Sequence, residues 1–202
     1  MTMIRRLALA AAALLAAGAV SAQTIRTGSL LVATPALEDA NFAESVVLVL
    51  RHDQGGTIGL VVNRVTSLAP AEVFPELAES LGGYDGRLFR GGPVAPTQLL
   101  LLVQGLGAAV VGGPAIVDNV YVTANPEELP ELVALSEGDQ GLRLYAGHAE
   151  WGAGQLAAEV QAGAWRVIDG SADLVFHPEP GRLWREALAL GAGSGAVVDA
   201  RP

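Results

Sequence analysis

Hydrophobic residues occur along most of the chain in short continuous runs that are separated by polar or glycine-containing turns. Runs of strand length occupy residues 29–33 and 45–51, and a third, at 57–63, follows a polar turn that contains two glycines. Short apolar runs bounded by turn residues are typical of buried strands. The second and third runs are therefore predicted to form a hairpin. Further strands are predicted at residues 87–90, 98–103, 120–123, 142–146 and 165–168.

Other segments show the spacing of amphipathic helices. Residues 67–81 carry hydrophobic side chains every three to five positions, and Pro75 is expected to shorten or kink this helix. Asn125 and the proline after it are predicted to begin a helix that ends near Leu135. Helices are also predicted at residues 155–161 and 182–190, the latter with Leu190 facing inward. Helices interrupt the strands irregularly, which favours a mixed α+β layer or pseudo-barrel over a doubly wound parallel sheet.

The first residues have the pattern of an export signal. Arg5 and Arg6 precede an apolar run over residues 7–20, and small residues follow at 20–22. The run is shorter than the roughly twenty apolar residues that a membrane-spanning helix needs, so a cleaved signal peptide is predicted, with no permanent membrane span. The expected organisation is a signal peptide at 1–22, one domain at 23–190 and a flexible tail at 191–202. The mature protein is expected in the periplasm or outside the cell.

Composition excludes several classes of chemistry. The chain has no cysteine, and every one of its twelve basic residues is arginine, so thiol nucleophiles, disulfides and Schiff-base lysines are excluded. The formal net charge is −9, and loss of two arginines with the signal leaves ten basic and twenty-one acidic residues, or −11. A net negative surface opposes contact with a phosphate backbone, so no nucleic-acid partner is predicted.

The stretch GHAEWGAGQLAAEV, residues 147–160, concentrates glycines, acids and a tryptophan between a predicted strand and a predicted helix. Gly154 and Gln155 at the start of the helix could offer backbone amides to an anion. The stretch lacks the lysine of a phosphate loop and the glycine spacing of a dinucleotide fingerprint. The simpler interpretation is structural: Trp151 packs in the core and the glycines form the bend.

Three other residues are candidates for ligand binding. Gly91 and Gly92 precede a proline and could supply backbone donors to a ligand, and Asn63 stands at the end of a predicted strand. Each also has a structural interpretation, because a glycine pair before proline forms a turn and an asparagine can tie down a neighbouring loop. The structural role is favoured for all three.

Two histidine–acid pairs define an alternative, catalytic hypothesis. His52 with Asp53 and His148 with Glu150 each follow a predicted strand. Two imidazoles and one or two carboxylates would suit zinc or a similar ion and leave a position for an activated water, as in a metal-assisted hydrolase. An ordinary polar turn also explains the first pair.

Several well-separated blocks of the chain resemble the YqgE/AlgH family over residues 28–190. The matching positions are 28–33, Pro35, Asp39, Asn41, Phe42, 45–46, 59–63, 91–94, Gly147, Trp151, Gly152, 154–156, Glu159, Trp165, Phe176, Trp184 and Arg185. The resemblance implies an α+β fold with a mixed, bifurcated β-sheet curled into a pseudo-barrel with flanking helices. The family is named partly for a proposed regulatory role in alginate production, and the resemblance implies no reaction and no cofactor.

The chain departs from the family pattern at a few positions. His148, Glu150 and Ala153 stand where an aromatic residue, a glycine and a proline are usual, and Arg64-Val65 follows Asn63 where proline is common. The export signal is a larger departure, because members of the family generally reside in the cell interior. The sequence thus predicts a non-catalytic binding or regulatory module, exported to the envelope, that acts on an unidentified protein or small-molecule partner.

Overall fold

The structure is a computed structural model that describes residues 24–105, 111–136 and 140–193. The predicted signal peptide lies outside these residues, as does the predicted tail from residue 194 onward. The described strands are β1 (Ser29–Ala33), β2 (Val46–Asp53), β3 (Gly56–Val61), β4 (Leu88–Arg90), β5 (Val94–Gln104), β6 (Val120–Thr123), β7 (Leu142–Gly152) and β8 (Trp165–Asp169). The α-helices are α1 (Pro70–Val73), α2 (Leu129–Leu135), α3 (Gln155–Gln161), α4 (Ala172–Val175) and α5 (Pro180–Gly193), with short 3-10 helices at Pro75–Leu77 and Pro126–Glu128.

The strands form one sheet that divides along β7. The order is β6-β5-β7-β3-β2-β1-β8, and β4 pairs with β7 outside this path. In the first half of β7, Leu144 is paired with Leu101 of β5 and, in parallel, with Leu88 of β4. In the second half, Glu150 is paired with Ile58 of β3. The predicted α+β fold with a mixed, bifurcated sheet is confirmed.

Strand β1 is apolar from Leu30 to Ala33 because both of its faces are covered. Residues 30–33 of β1 are completely buried and alternate between two clusters. Leu30 and Val32 pack with Leu183 and Ala187 of α5, whereas Leu31 packs on the other face with the cluster around Trp151. Side chains alternate along a strand, so a strand covered on both faces needs a continuous apolar run.

A third cluster covers the branch of the sheet that β4, β5 and the first half of β7 form. Leu101 and Leu144 belong to this cluster from the sheet, and Leu129 and Leu132 belong to it from α2. Asn125 begins this helical segment as predicted, because its side-chain oxygen accepts a hydrogen bond of 3.1 Å from the Glu127 amide.

The two ends of the sheet approach each other through the segment that precedes β6. A Cβ atom added to Gly28, just before β1, would lie 2.5 Å from the carbonyl oxygen of Ile116. Asp118 accepts a hydrogen bond of 2.8 Å from the amide of Ala172, at the start of α4. These contacts join the β6 end of the sheet to the end formed by β1 and β8, as expected for a curled, barrel-like sheet.

Several local predictions are wrong. A single helix over residues 67–81 does not form, because Pro75 follows a break at Phe74 that separates α1 from a 3-10 helix. The strand predicted to end at Ala146 continues to Gly152 as β7. Leu190 was expected to face inward but is 59% exposed, although α5 contains the predicted helix.

Candidate functional site

The four residues of the catalytic hypothesis do not converge. His52 is paired with Thr57, which is paired with Trp151, whereas Glu150 is the neighbour of Trp151 along β7. Paired residues share a face and adjacent residues alternate, so His52 lies on the opposite face of the sheet from His148 and Glu150.

His52 and Asp53 both have local partners. The Nδ1 atom of His52 is 2.7 Å from the Thr57 hydroxyl, and Asp53 accepts from the Gly55 amide over 2.8 Å. Within the three described segments, no group of three or more histidine or acidic side chains is placed to hold a metal ion. The geometry therefore does not favour the metal-assisted hydrolase.

Gly91 and Gly92 lie where the connection between β4 and β5 crosses β7. The Gly91 amide donates to the Ala146 carbonyl over 2.9 Å, and its carbonyl accepts from the Val61 amide over 2.7 Å. A Cβ atom added to Gly91 would lie 2.1 Å from the carbonyl oxygen of Gly147. A Cβ atom added to Gly92 would lie 2.1 Å from the carbonyl oxygen of His148. Glycine therefore allows the backbones to approach closely at the fork of the sheet, while ligand binding by this pair stays a prediction.

Gly154 and Gln155 lie at the start of α3. Gly154 has a φ of 75°, in the left-handed region that glycine adopts readily. The Gln155 side chain accepts from the Gly152 amide over 3.1 Å and donates to Glu159 over 2.9 Å. Gln155 thus joins the end of β7 to α3, and its predicted contact with a ligand stays a prediction.

The density of polar and aromatic residues in the 147–160 stretch reflects one partly buried network. Trp151 is 3% exposed, and its indole donates to Glu159 over 3.0 Å, as does the indole of Trp165 over 2.8 Å. Phe42 packs against both indoles, with ring centroids 5.6 Å from each. The structural interpretation of Trp151 as a packing residue agrees with this arrangement.

An open groove of about 480 Å³ lies beside the end of β3 and the start of α5. It is lined by Asn63, Arg64, Val65, Thr66, Arg90 and Gly181. We call it the arginine groove. The Arg90 amide donates to the Arg64 carbonyl over 2.8 Å, and this bond places the two arginines side by side.

Both arginine side chains contact the turn formed by residues 41–44. Arg64 donates to the carbonyls of Asn41 and Ala43, the latter over 2.8 Å, and Arg90 donates to the Asn41 side-chain oxygen over 3.3 Å. Asn63 accepts from the Val46 amide over 2.9 Å and donates to the Glu44 carbonyl over 3.0 Å. Asn63 thus ties down a neighbouring loop, and it also lines the groove.

The arginine groove concentrates positive charge. Burial lowers the pKa of Arg64 below its usual value, Arg90 lowers it further by repulsion, and Asp39 acts in the opposite direction. In the described part of the chain, neither Arg64 nor Arg90 forms an ion pair with a carboxylate. Two adjacent cations without a carboxylate partner form a site that suits an anion.

The sequence pattern indicated Asn63 and Gly91 as candidate residues but did not indicate the arginine next to each of them. Arg64 follows Asn63 and Arg90 precedes Gly91, at the ends of two apolar segments. A charged residue beside each of two candidate ligand positions was an available signal. The proximity of the two arginines could not be predicted from the sequence, because it depends on the path of the chain between them.

The fold and the groove define an α+β protein with a forked sheet and an arginine-lined surface groove. The chain belongs to the AlgH-like family, whose model matches residues 30–194. None of the helices in residues 24–105, 111–136 and 140–193 is long and apolar enough to cross a membrane.

Relatives and solved structures agree with this assignment. A UPF0301 protein of Streptomyces coelicolor is 41% identical over 186 residues, which cover 87% of this chain and 92% of the relative. A crystal structure of protein DIP2367 from Corynebacterium diphtheriae matches with a TM-score of 0.68 and 28% identity, over 83% of this chain and 87% of that one. The solution structure of the AlgH protein from Pseudomonas aeruginosa matches with a TM-score of 0.66 and 26% identity. The match covers 83% of this chain and 88% of the AlgH chain.

Proposed function

We propose that the protein is a non-catalytic binding module that captures an anionic ligand in the arginine groove. The observation that carries this proposal is the adjacent pair of Arg64 and Arg90 beside an open groove, without a carboxylate partner among the described residues. An anion between the two guanidinium groups would offset their mutual repulsion. It would also raise the depressed pKa of Arg64, because an opposite charge favours the charged form.

The hydrogen-bonding capacity of the pair supports capture of an anion. A guanidinium presents a planar fork of N–H donors that matches a carboxylate or a phosphate group. Arg64 uses two donors and Arg90 one in their contacts with the 41–44 turn. The remaining donors are available to a ligand while the turn holds both side chains in place.

The lining favours binding over catalysis. The described residues that line the groove include no histidine and no carboxylate. General acid–base catalysis requires a group that gives or takes a proton near neutral pH, and arginine does not meet that requirement. The groove thus supplies positive charge and shape rather than a proton acceptor.

We place this module in the bacterial envelope, because the predicted signal peptide would direct the chain out of the cytoplasm. A regulatory role would then depend on an anion or a partner that is present in the envelope. This location distinguishes the proposal from a role in the cell interior.

The test is thermal unfolding of the purified chain with phosphate, sulfate or acetate, at constant ionic strength maintained with chloride. A ligand that binds only the folded state raises the melting temperature as its concentration exceeds the dissociation constant. We expect an anion-dependent rise in the parent and its loss in the Arg64→Gln, Arg90→Gln double variant. The matched control is Arg26→Gln, because Arg26 lies outside the groove and pairs with Asp169.

The control should keep the response of the parent to the anion. No response in the parent to any of the three anions, or an equal response in the double variant, would refute the proposal. Equal loss in Arg26→Gln would show that net charge, rather than the groove, determines the response.

A further inference from the structure

We infer that the anion held in the arginine groove is a phosphate group in its doubly charged form, which contacts both guanidinium groups at once. This inference rests on the proposed function and adds a chemical class to it. It follows from the convergence of the two arginine side chains on one residue.

Arg64 and Arg90 extend from paired positions of two antiparallel segments. Val65 and Phe89 form an antiparallel bridge, and the Arg90 amide donates to the Arg64 carbonyl over 2.8 Å next to it. Side chains at paired positions lie on the same face, with Cβ atoms about 4.5 to 5.5 Å apart. The two arginine side chains therefore leave the backbone side by side and in the same direction.

The ends of both side chains meet at Asn41. Nη1 of Arg64 donates to the carbonyl oxygen of Asn41, and Nη2 of Arg90 donates to its side-chain oxygen over 3.3 Å. Two oxygens of one residue are close in space, so a single small ligand group can reach both guanidinium groups. Two carboxylates separated by a carbon chain do not match this convergence.

A phosphate group fits two converging guanidinium groups better than one carboxylate does. A terminal phosphate has three free acceptor oxygens, which can pair with two N–H forks from different directions. The two oxygens of a carboxylate are satisfied by the fork of a single guanidinium. A carboxylate would therefore leave the second arginine without a paired contact.

The charges around the groove favour a doubly charged ligand. Gly181 lines the groove from the first turn of the 14-residue helix α5, and the N-terminal end of a helix adds partial positive charge to that of the arginines. Asp39 opposes this charge, but its side chain accepts from the Asn41 amide over 2.8 Å and is not part of the groove lining. A dianion offsets more of the positive charge than a monoanion does.

The experiment measures dissociation constants of the full chain for methyl phosphate by calorimetry, at constant ionic strength maintained with chloride. The second pKa of a phosphate monoester is about 6, so methyl phosphate is mostly a monoanion at about pH 5 and a dianion at about pH 8. We expect its affinity to rise about fivefold between these two conditions, because an added ion pair at an exposed site contributes up to about 1 kcal/mol.

Two further anions separate the charge of the ligand from titration of the protein. Dimethyl phosphate is a monoanion throughout this range, and it should bind more weakly than methyl phosphate at the higher pH. Sulfate is a dianion throughout, and its affinity should stay nearly constant. Asp39 near Arg64, and His177 and Glu179 before α5, are titratable groups of the protein, and their effect would appear with sulfate as well.

Substitutions assign the preference to the pair of arginines. Arg64→Gln and Arg90→Gln each leave one guanidinium group in the groove. Each variant should lose at least half of the preference for methyl phosphate over dimethyl phosphate at the higher pH, on a logarithmic scale. The matched control is Arg26→Gln, which lies outside the groove and should keep the full preference.

A second arm identifies the source of the phosphate group. Inorganic phosphate presents it as a free ion, and phosphatidylcholine vesicles that contain phosphatidate present it on a lipid. The groove volume of about 480 Å³ is in the range of sites for small organic ligands, so we expect methyl phosphate to bind at least as tightly as inorganic phosphate. Tighter binding to the phosphatidate vesicles would assign the same group to a lipid headgroup.

The outcomes separate this inference from the proposed function. Equal affinities for methyl phosphate and dimethyl phosphate, or an affinity for methyl phosphate that does not change with pH, would refute the doubly charged ligand and leave the anion site standing. A preference that Arg26→Gln removes equally would refute the role of the arginine pair. Absence of binding by every anion in both arms would refute the inference and the proposed function together.

Discussion

Trp151 and Trp165 donate their indole N–H groups to the same carboxylate oxygen, Oε2 of Glu159, over 3.0 and 2.8 Å. The two rings meet edge to face with centroids 5.8 Å apart. Trp151 of β7, Trp165 of β8 and Glu159 of α3 thus form a single unit that holds α3 against the sheet.

Glu159→Ala should destabilise the protein by about 2 to 4 kcal/mol, because two indole donors would lose their acceptor and each buried unpaired donor costs about 1 to 3 kcal/mol. Urea unfolding monitored by circular dichroism measures the change. The control is Glu150→Ala on β7, an exposed residue for which a change within about 0.5 kcal/mol is expected. Equal effects of the two substitutions would contradict this account of the network.

Gly91→Ala should prevent stable folding or lower the free energy of unfolding severely, because the added Cβ would lie 2.1 Å from the Gly147 carbonyl oxygen. Backbone cannot move aside as a flexible side chain can. Gly113→Ala is the matched control, since a Cβ there meets no atom within 4 Å. Soluble expression and the urea midpoint report the difference, and a Gly91→Ala variant as stable as the control would show that the fork tolerates a side chain.

Strands with both faces covered, and helices with a local start signal, were predictable from the sequence. Residues 29–33 match β1, and Asn125 begins its helical segment, because an apolar run and a capping side chain are local signals. Residues 155–161 match α3, because Leu156 and Val160 recur four positions apart and Gly163 follows the helix. The continuation of β7 beyond Ala146 was not predicted. In the structure, the side chains of residues 148 and 150 are partly or fully exposed and those of residues 149 and 151 are buried, which is the alternation of a half-buried strand. The glycines at 147, 152 and 154 suggested a bend, whereas pairing with β3 keeps the segment extended through Gly152.

The candidate site was less predictable than the fold. Asn63 was identified from its position at a strand end, and it lines the groove. The pairing of Arg64 with Arg90 requires the bridge between Val65 and Phe89, which is a tertiary contact that no local pattern encodes. Local periodicity reports burial along one segment, but it does not report which two segment ends meet.

Arg90→Gln should leave the stability of the unliganded protein unchanged or raise it. The pKa of Arg64 is lowered first by burial and then by Arg90, so the unfolded chain binds this proton more tightly than the folded chain does. The charge on Arg64 therefore opposes folding at every pH below its folded pKa, and removal of Arg90 relieves part of that cost. We expect a urea midpoint no lower than that of the parent at neutral pH and low salt.

The matched substitution for this prediction is Arg26→Gln, which removes an arginine paired with Asp169 and should not raise the midpoint. Added salt should reduce any gain from Arg90→Gln, because ions screen the repulsion between the two guanidinium groups. A midpoint clearly below that of the parent would mean that the bond from Arg90 to Asn41 contributes more than the repulsion costs.

The export proposal predicts that the mature chain begins at or near Gln23. Terminal sequencing of the protein from the envelope fraction of cells that express the full chain measures this directly. The control replaces the apolar residue Leu14 by arginine, which should interrupt the hydrophobic run and retain the uncleaved chain in the cytoplasm. Recovery of the intact parent from the cytoplasm, with Met1 or Thr2 at its start, would contradict the proposal.

The fork along β7 also sets the order in which the fold can be completed during synthesis. Residues 142–152 emerge after the strands β1 to β6, yet they supply the partner edge for β3, β4 and β5. A nascent chain that ends before Leu142 therefore leaves strand edges on both branches without their native neighbour, and open edges are sites of aggregation. Neither branch can close early, so the chain reaches its native topology only near the end of translation.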